Sequence, residues 1–395
     1  MTRTFDPVTE VQKLRDHLSS HDKPIAMLFG AGTSCAVQAT DGKPLIPAVA
    51  ALTESCEQSA LSLGPPFPDA WTLIRDSLPE TRRDIEEILS AVRQKLDAIL
   101  DADKLAGLDR GELETLEQTI KTTIAKEVRP DAARVPDSLP HEALGRWLRN
   151  GQRVTSVEIY SLNYDTLVER GLEAVWVPVF DGFVGTYEPF FSPGSLARAD
   201  MLPGRRWVRL WKLHGSVTWR KTGAGEDRRI VRGPELATGE MILPSLRKYE
   251  ESRKQPYVAM LDRLRRLLSE RDEIVLITAG YSFGDQHINE VIIEALEVNP
   301  GLHVFALCYE EPATDGILAT TAREQRQLVV LAPDSAVVGG ERGEWMVIDP
   351  DGSAGRLADV FALDKGEGPG GKLLLGDFNS FCKLLDGLAR QSLND

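Results

Sequence analysis

Cysteine is scarce in this sequence and never paired. Cys35, Cys56, Cys308 and Cys382 are the only ones in 395 residues, and no two lie within four residues of each other. That spacing excludes a CxxC redox motif and a zinc ribbon. Isolated cysteines of this kind read as small buried hydrophobes. Excess positive charge is also missing. With 46 Lys+Arg against 60 Asp+Glu, the formal charge is −14, so the general phosphate attraction behind free nucleic-acid binding is absent. Long apolar runs are missing too. The longest, Ile25–Phe29 and Ile274–Ala279, are strand-length, far short of the ~20 residues that span a bilayer. The opening MTRTFDPVTEVQK has no apolar signal-peptide core, so the expectation is a cytosolic protein without a membrane anchor.

What is present is the balance of an ordinary globular protein, 42% hydrophobic and 27% charged. Such a length implies about two domains, or one large domain with insertions. It supports a core that needs neither disulfides nor a structural metal.

The run Pro24-Ile-Ala-Met-Leu-Phe-Gly30-Ala-Gly32-Thr33-Ser34 reads as a buried strand turning into a phosphate-sized nest of backbone amides. Pro47 opens a helical pattern through Cys56. Beyond the Gly64–Pro68 loop, Ile85, Ile88, Leu89, Val92, Leu96 and Leu100 fall at helical spacing. So do Leu105, Leu108, Leu113, Leu116, Ile120 and Ile124. Residues 65–140 are therefore expected to form a helical insertion whose leucine stripes pack as core. Strands are expected at Val157–Leu162, Trp207–Leu213, Glu273–Gly280 and His303–Cys308, with a helix after Asp285 as N-cap. Alternating apolar strands and helices indicate an α/β domain with a mostly parallel sheet. Further strands are expected at Leu328–Ala332 and Trp345–Ile348, a flexible loop at Lys365–Gly371, and a closing helix at Phe378–Leu388.

Four segments carry candidate chemistry. Gly30-Ala-Gly32-Thr-Ser34 lacks the third glycine of the dinucleotide fingerprint, since Cys35 stands there, which disfavours a hydride-transferring Rossmann enzyme. Ser161-Leu-Asn163-Tyr-Asp165 follows a strand, where open α/β sheets bind ligands. Asn163 suits holding a water or a ribose hydroxyl, and Asp165 suits either that task or capping the next helix. Leu210-Trp-Lys-Leu-His214-Gly-Ser216 puts a histidine at the same edge. Gly280-Tyr-Ser-Phe-Gly284-Asp285 adds a second glycine loop with a carboxylate for a ribose or adenine.

In this order, GAGTS, the asparagine of SLNYD, the histidine of KLHGS and GYSFGD resemble the sirtuin-like domain of silent information regulator proteins, over about residues 20–310. Asp84-Ile-Glu-Glu-Ile-Leu89 resembles a segment common in the bacterial branch of that family. Protein-deacylating sirtuins carry a four-cysteine zinc module, and none is available here. Their Gly-Ile-Pro-Asp-Phe-Arg run is replaced by Gly42-Lys-Pro-Leu-Ile-Pro47, and the glutamine before their catalytic asparagine by Leu162.

The pattern is closest to bacterial antiphage-defence sirtuin-like proteins that hydrolyse NAD, of the type associated with a HerA-family hexameric ATPase. The resemblance implies an α/β, Rossmann-like fold with a helical insertion and a small C-terminal extension. The catalytic domain would be 1–311, and 312–395 would serve packing or assembly. It implies NAD+ as substrate with no zinc, homo-oligomers, and a HerA-type partner. The activity implied is an NAD+ glycohydrolase releasing nicotinamide and ADP-ribose. Asn163 would hold the water and His214 act as general base. Gly30, Ala31, Gly32, Thr33 and Ser34 would hold the pyrophosphate, Asp165 a ribose hydroxyl, and Gly280, Ser282, Phe283 and Asp285 the adenosine half. A non-catalytic NAD or ADP-ribose sensor remains the alternative, and the missing zinc cysteines disfavour a deacylase. Arg247–Arg271, with Arg263, Arg265 and Arg266 at helical spacing, reads as a solvated helix or a docking face.

Overall fold

The computed structural model describes residues 3–80, 83–100, 103–223, 229–235, 240–241, 256–349, 359–363 and 370–391. Ten strands form its main sheet: β1 (Thr4–Phe5), β2 (Ile25–Phe29), β3 (Glu158–Ser161), β4 (Val179–Phe180), β5 (Val208–Lys212), β6 (Ile274–Ala279), β7 (Leu302–Leu307), β8 (Leu328–Leu331), β9 (Ser335–Val338) and β10 (Glu341–Trp345). Their spatial order is β1-β10-β9-β8-β7-β6-β2-β3-β5-β4. From β4 across to β8 every pairing is parallel, while β8, β9 and β10 pair antiparallel. The chain steps one way from β2 through β3 to β5, then returns beside β2 and steps the other way through β6, β7 and β8. The order therefore reverses between β2 and β6, which is where such sheets open a ligand crevice at the carboxyl ends of their strands.

Helices cover both faces, which is why β2 and nearly all of β6 are apolar on successive residues rather than on alternate ones. Ile25, Met27 and Phe29 of β2 face one core with helices α1 (Pro7–Ser19), α7 (His141–Asn150), α8 (Leu167–Ala174) and α12 (Phe378–Gln391). Ala26 and Leu28 face the other, with α9 (Tyr257–Glu270) and α10 (Gln286–Val298). The expected parallel strands lie within a residue or so of their observed bounds. Asp285 caps α10, its Oδ1 accepting from the amides of His287 and Ile288.

Helices α3 (Val49–Leu61), α4 (Phe67–Asp76), α5 (Ile85–Ala98) and α6 (Arg110–Glu127) fill the interval between β2 and β3. Their apolar stripes meet in a third core built on Ile88, Leu89, Leu113, Leu116 and Ile120. Two expectations need correction here. Leu100 lies past the end of α5 and is exposed, and Leu105 and Leu108 pair across a turn rather than opening α6. The turn wins because Ala106 and Gly107 have positive φ, and a capping box between Asp109 and Glu112 starts the helix at Arg110.

Beyond residue 311 the chain continues the same sheet. The strand expected at Trp345–Ile348 instead ends at Trp345, with Ile348 exposed. It is the second arm of a hairpin with β9, which turns on Gly339-Gly340 at positive φ. That glycine pair is a strong hairpin signal that sequence reading passed over. Helix α12 packs on α7, where Arg146 Nε donates to Asp386 Oδ1 at 2.7 Å. Residues 365–369 of the glycine-rich loop and 247–255 of the arginine-rich run lie outside the described residues. Arg263 is no docking residue. It reaches into the fold and pairs with the buried Glu158. Among the described residues, no helix is long and apolar enough to cross a membrane.

Candidate functional site

The four motif loops leave the carboxyl ends of β6, β2, β3 and β5, which are adjacent in the sheet in that order. Sequence-distant residues thus converge at the point where the strand order reverses.

The glycines hold two loops together. A Cβ on Gly30 would lie 2.4 Å from the carbonyl oxygen of Gly280, and one on Gly280, whose φ is +61°, would lie 2.4 Å from the amide nitrogen of Thr33. Gly32 is equally confined, its Cβ position being 2.7 Å from the Gly280 Cα. The amide of Gly30 donates to Ala279 and that of Gly32 to Gly280. The amides of Thr33 and Ser34 turn back onto Gly30 and Ala31 in the short helix α2 (Gly32–Cys35). Much of the expected nest is therefore spent on carbonyls, while Ala31 stands exposed at its rim.

Asn163 is buried against this loop. Its Nδ2 donates to the Gly30 carbonyl at 3.0 Å, to Thr33 Oγ1 at 2.9 Å and to Ser34 Oγ at 2.8 Å. A carbonyl can only accept, so the nitrogen must face the loop and Oδ1 turns away from it. Ser34 Oγ in turn donates to Asp165 Oδ2 at 2.7 Å. Asp165 Oδ1 accepts from the Leu167 amide at 3.0 Å, closing the turn into α8 one residue before the cap position, Thr166. Both carboxylate oxygens of Asp165 are thus engaged inside the protein.

His214 sits at the other side. Its Nε2 is 3.1 Å from Asp285 Oδ2, with the ring largely covered. Asp285, read from the sequence as a partner for ribose or adenine, faces this histidine as well as the start of α10. The loop before it is tightly held. Phe283 has φ +58°, an uncommon conformation for an aromatic residue. Asn289 Nδ2 fixes it by donating to the Phe283 carbonyl at 2.7 Å, while Tyr281 Oη donates to Asn289 Oδ1 at 2.7 Å. Ser282 and Gly284 remain exposed on the same loop.

Sequence reasoning missed the layer beneath. Lys212, within KLHGS, is 2% exposed; its Nζ donates to the Asp165 carbonyl and lies 3.5 Å from Glu169 Oε1. Burial raises the Glu169 carboxyl, with the Lys212 charge pulling the other way. A lysine directly after the apolar pair Leu210-Trp211 was the available signal. His141 is fully buried with neither ring nitrogen hydrogen-bonded, and burial pushes its pKa down to about 4. The Cys35 thiol is pushed up by burial and by the Asp165 charge, which disfavours the thiolate form. Among the described residues, no three His, Cys, Asp or Glu side chains cluster as metal ligands would.

No curated protein matches the chain. Residues 157–331 match the family described as SIR2-like domain, a stretch that includes Asn163, His214, the Gly280–Asp285 loop and strands β3 to β8. Over these residues the chain is similar to SIR2-like domains, and its Rossmann-like sheet with a helical insertion and a C-terminal extension agrees with that fold.

Proposed function

We propose that the chain is an NAD+ glycohydrolase, releasing nicotinamide and ADP-ribose. The supporting observation is the convergence of Asn163 and the His214–Asp285 pair on the strand-order reversal, beside two interlocked glycine loops. A buried site with one carboxamide and one histidine suits this reaction. Nicotinamide leaves as a neutral molecule from a cationic pyridinium, so no carboxylic acid is needed to protonate it, unlike an ordinary glycosidic oxygen. The site must instead favour an oxocarbenium-like centre and position a water.

The Gly30 carbonyl and the Thr33 and Ser34 hydroxyls orient Asn163, whose Oδ1 then accepts from the attacking water or a ribose hydroxyl. His214 donates through Nε2 to Asp285, leaving Nδ1 with a free lone pair as base. Water adds its oxygen to the anomeric carbon, the carbon–nitrogen bond to nicotinamide breaks, and the water proton passes to His214. The Gly30–Ser34 loop lies against the pyrophosphate, chiefly through its exposed rim at Ala31. Gly280, Ser282 and Phe283 line the adenosine half, while Asp285 serves it indirectly by fixing His214. Asp165 acts through Ser34.

The biological role we infer is antiphage defence by NAD depletion in the cytoplasm, as a homo-oligomer controlled by a HerA-family ATPase. The segment 312–395 would support that assembly, and residues 1–311 the chemistry. The test is NAD turnover by native, Asn163→Ala and His214→Ala protein, with products separated by chromatography. Loss of about 10²-fold or more is expected in both variants at temperatures where each is folded. Near-native turnover in both would refute the assignment. Bound but intact NAD, persisting even when a HerA-type ATPase is added, would favour a sensor.

A further inference from the structure

The opposite end of the sheet, where β2, β3 and β5 begin, holds a second concentration of chemistry that the proposed reaction does not use. Two adjoining clefts of about 290 and 340 Å³ share Ala199, Leu267 and Arg271 as lining residues. Together they are lined by five arginines, Arg205, Arg209, Arg263, Arg266 and Arg271, against only two carboxylates, Glu158 and Glu270. In a chain of net charge −14 this is a marked local reversal of sign.

The arginines fall into two sets. Arg209 and Arg263 are consumed by Glu158, at 2.9 Å for Arg209 Nη1 and by a close double contact from Arg263. Trp211 Nε1 also donates to Glu158, at 2.8 Å. This buried group stiffens the floor. Arg205, Arg266 and Arg271 are exposed, and none has a carboxylate partner among the described residues. Two buried polar atoms in lining residues also lack hydrogen-bond partners: Arg209 Nε and Ser156 Oγ. Leu202, Pro203 and Leu267 supply apolar wall beside these donors.

The geometry points to a binding site for a nucleoside polyphosphate at this amino-terminal edge, separate from the site at the carboxyl edge. Guanidinium forks match phosphate oxygens in pairs, and the clefts have the dimensions of a small-molecule site rather than of a macromolecular interface. The apolar wall suits a base. A long nucleic acid is disfavoured because it would extend beyond the clefts over a chain of net charge −14.

The test is calorimetric titration of the full chain with ATP, inorganic pyrophosphate, adenosine and a polyglutamate peptide. ATP is expected to bind with a salt-dependent affinity, pyrophosphate more weakly, and adenosine not at all. Arg266→Glu, Arg271→Glu and Arg205→Glu, all at exposed positions, should each weaken ATP by about tenfold or more with melting unchanged. The proposal is overturned if ATP does not bind, or if the peptide binds through these arginines and ATP does not. It also fails if ATP binds a triple variant combining Arg205→Glu, Arg266→Glu and Arg271→Glu as tightly as native protein; competition with NAD would then place ATP at the carboxyl edge.

Discussion

At its carboxyl end β3 delivers Asn163 into a cage of one carbonyl and two hydroxyls, all neutral and all within 3.0 Å. At its amino end the same strand delivers Glu158 among two guanidiniums and an indole N–H. Burial alone would raise the Glu158 carboxyl, but the Arg263 hydrogen bond and the Arg263 and Arg209 charges hold it below its usual range. One edge is organised by close backbone approach and short neutral hydrogen bonds, the other by charge. The first arrangement fixes the position of a single amide. The second leaves three arginines without a carboxylate partner among the described residues, around a rigid ion cluster. Position at the neutral edge therefore depends on sterics, and at the charged edge on keeping ions paired.

Substitution should separate these two designs. The largest loss is expected from Gly280→Ala, which meets both a backbone atom at 2.4 Å and a positive φ. A cost above about 4 kcal/mol in denaturant unfolding would mark it as a backbone clash; a cost of about 1 kcal/mol would show that the loops part easily. Next comes Glu158→Gln, which leaves two largely buried guanidiniums without their counter-charge. About 3 kcal/mol of destabilisation is expected, with NAD turnover retained at temperatures where the variant is folded. If turnover instead collapsed in the folded variant, the two edges would be coupled through β3.

His141 supplies the third contrast, a buried neutral ring beneath the carboxyl edge. Its folded pKa of about 4 lies below the ordinary 6.5, so the unfolded chain binds the proton first. Its penalty is absent above pH 6.5 and grows as pH falls towards 4, reaching about 3 kcal/mol. Melting followed from pH 7 to 4 should therefore fall less steeply in His141→Leu than in native protein. Parallel curves would show that the ring does not control acid sensitivity. The smallest effect is expected for Asp285→Asn, which keeps the helix cap but weakens the anchor of His214. Turnover should drop about tenfold, since the Nε2–Oδ2 contact that orients the ring is weakened. Unchanged turnover would leave Asp285 as a cap alone.

Much of this architecture was legible beforehand, for identifiable reasons. Strands buried on both faces are mostly apolar, so β2, β6 and β7 announced themselves, and β3 and β5 did so despite Glu158, Arg209 and Lys212. Asp285 was readable as a cap because a short acidic side chain ahead of a helical stripe has few other uses. The failures are equally physical. Leu105 and Leu108 kept helical spacing, yet a turn with two positive φ values overrode periodicity. The pattern of Arg263, Arg265 and Arg266 gave no sign that the first is an internal ion partner while Arg265 stays near the surface beside Asp262 and Glu294.

By itself the chain order of apolar runs and glycine loops determined a parallel sheet, its helical insertion and the set of residues that could share one edge. Those features follow from local burial and backbone conformation, which a linear pattern encodes. Only the tertiary structure decided that Gly30 and Gly32 press against Gly280, that Asp285 turns to His214, and that Glu158 gathers Arg209 and Arg263. Each of these joins residues far apart in the chain, and their meeting depends on the order in which strands enter the sheet.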